Sequence, residues 1–109
     1  MDDTVENLFL GQNLVFIATI NSDGSPQLTP VWGDFDNGHV QINTAEGRIK
    51  HKNVLNDPRV AVSVVDKDDP LKMTTISGKV IKILPDYDYN HADKLAKKYM
   101  KLEKYPFKR

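Results

Sequence analysis

A small, mainly antiparallel β barrel of the α+β class, with peripheral helices, is the fold this sequence predicts. Short β-branched runs are separated by hairpin signals, Asp23-Gly24 and Asn37-Gly38. Only the ends of the chain and one central stretch show helical spacing. With 109 residues the chain is one domain, 1–109, with a thin core that dimerisation would help to complete.

The elements follow in order. In residues 4–11, Val5, Leu8 and Phe9 share a helical face, with Thr4 able to cap and Gly11 to stop. Leu14 to Ile20, LVFIATI, is nearly continuous and predicts a strand buried on both faces. NSDGS turns the chain into a second strand, residues 26–35, broken by Pro30. DNG at 36–38 leads to a strand from His39 to Thr44 with Val40 and Ile42 alternating. A short helix follows from about Thr44–Gly47, and Asp57-Pro58 ends it. Residues 59–65, RVAVSVV, predict a central strand. Residues 71–84 predict a long strand, with a bulge at Gly78 where the apolar parity shifts from Ile76 and Val80 to Ile81 and Ile83. Pro85-Asp86 opens a last helix, with Ala92, Leu95, Ala96 and Tyr99 on one face and the lysines from Lys94 to Lys104 on its wet face.

Composition excludes several classes. Without cysteine there is no disulfide, thiol catalysis or zinc–thiolate site. Lys+Arg and Asp+Glu are both 15, which argues against a broad nucleic-acid footprint. The amino terminus MDDTVEN is acidic where a signal peptide is basic, and the run from Leu14 to Ile20 is far short of the ~20 residues that span a bilayer. A cytoplasmic protein that binds no membrane is expected. His39, His51 and His91 lack metal-ligand spacing, and Asp66, Asp68 and Asp69 lack an EF-hand register, so no metal site is expected. No catalytic constellation can be placed.

Two stretches point to a ligand. NTAEGRIKHKN, residues 43–53, puts Arg48, Lys50 and Lys52 in the first turns of a helix, opposed only by Glu46. Cations there cost a few tenths to ~1 kcal/mol each, because the helix start is already positive. A bound phosphate reverses that sign, and Gly47 and the Thr44 hydroxyl leave room and a donor for it. The alternative is a solvated surface turn. QLTPVW, residues 27–32, places Gln27, Thr29 and Val31 on one strand face and Leu28, Pro30 and Trp32 on the other. A planar ring could lie against such a proline-interrupted backbone, although a plain edge strand has the same pattern.

ATINSDGSPQLTPVW, INTAEGRIKHKNVLNDPRVAVSVVDKDDP and ISGKV, in that order over residues 14–84, resemble the pyridoxamine 5'-phosphate oxidase-like split-barrel family. The likeness is nearest to its deazaflavin (coenzyme F-420)-dependent branch. It implies a six-stranded antiparallel split barrel and a homodimer, with FMN or deazaflavin coenzyme F-420 between the subunits. It also implies that Arg48, Lys50 and Lys52, with Asn43 and Thr44, bind cofactor phosphate, while Gln27, Thr29, Pro30, Val31 and Trp32 line the ring. The activity implied is hydride exchange between the cofactor and a small organic substrate. Two departures are expected to matter. The ending KYPFKR lacks the arginine-rich segment of true pyridoxamine phosphate oxidases, and the last barrel strand of relatives has no counterpart. A non-catalytic flavin or haem carrier of the same fold is the main alternative. A nucleic-acid-binding barrel is a third, with only Trp32 and the basic segment in its favour.

Overall fold

The structure, a computed structural model, describes residues 3–43, 49–83 and 90–101. The elements are α1 (Asp3–Leu10), β1 (Val15–Ile20), β2 (Pro26–Val31), β3 (Gly33–Asp36), β4 (His39–Ile42), α2 (Ile49–Asn56), β5 (Arg59–Val65), β6 (Met73–Lys79) and α3 (Asn90–Met100). Two antiparallel sheets result, one ordered β2-β1-β5-β6 and the other β3-β4. Among the described residues the larger sheet does not close on itself, in keeping with the split barrel without its last strand that the sequence leads one to expect.

Strand alternation sorts the large sheet into two faces. Val15, Ile17, Val31, Val62 and Val64 point inward and join Leu8, Phe9 and Phe35 in the core. Burial of each such side chain contributes ~1.5–3 kcal/mol. Phe9 on α1 stacks against Phe35 on β3, ring centres 6.4 Å apart. The opposite face carries Phe16, Ala18, Leu28, Pro30, Ala61 and Met73, placed together by the pairings Phe16 with Pro30, Ala18 with Leu28 and with Ala61, and Val65 with Met73. Leu28 is 68% exposed and Met73 59%, so this face is apolar and largely uncovered in the single chain.

Turn chemistry agrees with the hairpins. Asn37 and Gly38 both have positive φ, 53° and 77°, the requirement of a two-residue type I′ turn. Gly24 has φ 86°, and its N–H donates to the Asn21 carbonyl at 2.8 Å. Gly33 is required by space. A Cβ there would lie 2.7 Å from Val15 Cγ2, where the chain crosses from one sheet to the other.

Four sequence expectations need correction. β1 is buried on one face and only half-buried on the other, because the outer face is uncovered. The break in residues 26–35 falls at Trp32 rather than Pro30. β2 is an edge strand, a position where proline is tolerated. Gly78 is not a bulge: the register runs unbroken from Val65–Met73 to Arg59–Lys79, with Gly78 opposite Val60. The strand simply ends at Lys79, so the parity shift reflects chain beyond it. Finally, Lys98 is not on a wet face, since only 14% of its side chain is exposed. The expected helix start at Pro85-Asp86 and the early turn at Thr44–Gly47 lie outside the described residues.

Candidate functional site

Helix α2 is short, and its first turn contains no acidic residue. Lys50 is half-buried on it, and Lys52 is exposed. Lys52 also lines a groove of about 520 Å³ between α2 and the β1–β2 turn, with Asn53 and Asn56 on the helix side and Asn21, Ser22 and Asp23 on the turn side. The Asp23 carboxylate is held below its ordinary range by bonds from the Ser25 hydroxyl and backbone N–H. The groove is therefore of mixed sign, with its positive wall on α2.

The one buried side chain of α2 is polar. Asn53 Nδ2 donates toward Thr19 Oγ1 at 3.0 Å, Asn21 Oδ1 at 2.9 Å and Gln27 Oε1 at 3.3 Å. Thr19 and Gln27 are themselves opposite one another in the β1–β2 ladder. Gln27, expected from the sequence to touch a ring, is thus joined directly to the helix that bears Lys50 and Lys52.

A second group forms on α3. Trp32 stacks on Tyr99, centroids 5.3 Å apart and planes 9° from parallel. Asn43 Nδ2 lies 3.2 Å from His91 Nδ1. Tyr99 Oη accepts the Gly33 N–H at 3.1 Å and lies 2.7 Å from the Asn13 carbonyl oxygen and 3.0 Å from that of Gly33. With one proton to give, it donates to the nearer, Asn13. Burial pushes the Tyr99 hydroxyl up; the Gly33 N–H opposes this and the Asp34 charge adds to it, leaving the pKa above the ordinary value.

Lys98 sits between these elements. Its ammonium donates to the Phe9 carbonyl at 2.6 Å and the Gly33 carbonyl at 2.7 Å. Phe9 lies in the last turn of α1, where carbonyls lack helical partners, so Lys98 caps α1 from α3. Burial pulls the Lys98 ammonium below its ordinary pKa, partly offset by Asp34 and reinforced by Lys94. Asp34 is buried, with Lys94 Nζ 2.7 Å from Oδ2 and Lys98 Nζ 4.0 Å from Oδ1. Burial raises the Asp34 pKa. The Lys94 bond, the Phe35 N–H and the two lysine charges outweigh it and hold the carboxyl below the ordinary value.

The remaining expected residues fall as follows. Thr29 is half-buried on the inner face opposite Ile17. Val31 is a core residue opposite Val15, and Pro30 is exposed on the outer face. Thr44 and Arg48 lie outside the described residues. The structure therefore brings Gln27 to α2, and Trp32 and Asn43 to α3, while Pro30 and Val31 point to opposite sides of one sheet. Asn53 and Lys98 were not singled out by sequence. The available signal was an asparagine, a weak helix former, on the inward side of a helix. The aspartates of DKDDP are turn acceptors: Asp66 Oδ1 takes the N–H groups of Asp68 and Asp69 at 2.8 and 3.0 Å.

A family model for pyridoxamine 5'-phosphate oxidase matches residues 1–108. The chain belongs to this family. Among solved structures, one named F420 reductase is 30% identical, covers 94% of this chain and 82% of its own, and superposes with a TM-score of 0.85. A conserved hypothetical protein from Mycobacterium tuberculosis is 22% identical over 98% of this chain and 68% of its own, TM-score 0.72. A heme binding protein from Mycobacterium smegmatis is 20% identical over 80% of this chain and 39% of its own, TM-score 0.60. The last two share the family fold. No helix among the described residues is long and apolar enough to cross a membrane.

Proposed function

We propose that this member of the pyridoxamine 5'-phosphate oxidase family is a cytoplasmic oxidoreductase that binds deazaflavin coenzyme F-420 or FMN and exchanges a hydride with a small organic substrate. The observation that carries the reading is α2. Its first turn holds Lys50 and Lys52 with no carboxylate, and it is tied through Asn53 to Gln27 on β2. Two ammonium groups at the positive end of a helix suit a phosphate, each charge-assisted contact contributing ~1.5–3 kcal/mol. Arg48 and Thr44 from the preceding segment and Asn43 complete the phosphate set. Gln27, Thr29, Pro30, Val31 and Trp32 are assigned to the ring. The likeness to a protein named F420 reductase favours the deazaflavin.

When bound, such a cofactor supplies the hydride chemistry, and the protein binds, orients and excludes water. The apolar outer face, with Leu28 and Met73 exposed, suits a second copy of the chain, and the cofactor site would lie beside that contact. β2 is an edge strand, so Pro30 on that face and Gln27 on the other both border its open edge, and the ring would lie along that edge.

The test is a Lys50→Ala/Lys52→Ala variant titrated with FMN and with coenzyme F-420. Loss of about 3–6 kcal/mol of binding, from two contacts of ~1.5–3 kcal/mol each, supports the site; unchanged affinity removes it. Anaerobic oxidation of the reduced cofactor by a substrate panel separates an oxidoreductase from a carrier of flavin or haem.

A further inference from the structure

Helix α2 is held in an unusual way. Ile49 is 57% exposed and Leu55 64%, Val54 is half-buried, and the one buried side chain is Asn53. Hydrophobic burial is by itself non-directional, so a few partly exposed apolar contacts define the seat of a helix only loosely. A helix seated by an amide is fixed in angle and register, because hydrogen bonds weaken steeply off axis. Three oxygens from three residues converge on Asn53 Nδ2, from Thr19, Asn21 and Gln27. Thr19 is 1% exposed and Asn53 7%, so water cannot readily replace the bond between them. The amide has two protons for three acceptors, and any rotation of α2 away from β1 and β2 breaks more than one contact.

We infer that Asn53 is a positioning residue for the anion site: it pins α2 to β1 and β2 and thereby sets where Lys50 and Lys52 stand relative to Gln27. This rests on the reading of α2 as the phosphate-binding helix. It adds that the affinity of that helix depends on a buried amide and on Thr19, neither of which needs to touch the ligand.

The experiment compares Asn53→Ala, Thr19→Val, Thr19→Ser and Lys50→Ala/Lys52→Ala with the parent chain. Each is measured by amide hydrogen exchange without ligand and by titration with FMN and coenzyme F-420. Removing the donor speeds exchange across α2 by about tenfold or more, and removing the one hydroxyl acceptor by about three- to tenfold, with β5 unchanged. Cofactor affinity falls by similar factors. Thr19→Ser keeps the hydroxyl and matches the parent on both measures. Thr19→Val also serves should Asn53→Ala fail to fold. Unchanged α2 exchange in Thr19→Val and Asn53→Ala overturns the inference whatever the ligand does. Faster α2 exchange with undiminished affinity overturns it as well, while the anion site stands if the double lysine variant still loses binding. Undiminished binding by the double lysine variant instead removes the anion site itself, and the positioning role falls with it.

Discussion

Replacing Lys98 with methionine tests the packing of α3 most sharply. The ammonium makes two short bonds to carbonyls, Phe9 at the end of α1 and Gly33 at the start of β3, and approaches Asp34 at 4.0 Å. Methionine fills similar space but leaves both carbonyls without that donor. Two charge-assisted bonds are worth ~1.5–3 kcal/mol each before the cost of burying the charge is subtracted. That cost is real, since burial pulls the Lys98 pKa down. A net loss of about 2–4 kcal/mol follows, a large share of a typical domain stability of ~5–15 kcal/mol. At about 4 °C per kcal/mol for a chain of this size, the melting temperature falls by about 8–16 °C. Circular dichroism melts and urea titrations read this directly. Lys97→Met, at an exposed position on the same helix, stays within about 0.5 kcal/mol. A Lys98→Met loss under about 1 kcal/mol refutes the view that this lysine joins α1, β3 and α3.

Tyr99→Phe removes the hydroxyl that serves Asn13 and Gly33 but keeps the ring on Trp32, so it costs about 1–3 kcal/mol with little change in tryptophan emission. Tyr99→Ala also unstacks Trp32, the one tryptophan, and shifts its emission to the red. Asp34 gives an acid-side signature. Its carboxyl is held below the unfolded value, so its stabilisation is complete above the unfolded pKa of ~3.9 and is lost as pH falls through the lower folded value. Urea titrations across that window should show the parent losing stability faster than Asp34→Asn, and parallel pH profiles would contradict the assignment.

Much of the fold was legible because it rests on local chemistry. The Asn37-Gly38 turn, the alternation in β4 and the apolar run of β5 are each written in a few adjacent residues. What failed depended on partners distant in sequence. Lys98 looked like a solvent-facing lysine because its acceptors, Phe9 and Gly33, are 89 and 65 residues away. The parity change after Gly78 looked like a bulge because sequence does not show where pairing with β5 stops. Within the candidate site, the basic character of α2 was legible from Lys50 and Lys52. Its attachment to Gln27 was not, since a mid-helix asparagine says nothing of the strand it meets. The split of Gln27 and Trp32 between α2 and α3 likewise needed the three-dimensional structure.

The central claim is that this chain binds a phosphorylated flavin or deazaflavin. Equilibrium fluorescence titration of the purified protein with FMN and with coenzyme F-420 tests it most directly. Saturable binding of one of them at one molecule per chain, weakened by rising salt, is the predicted result. Absence of saturable binding for both would contradict the claim.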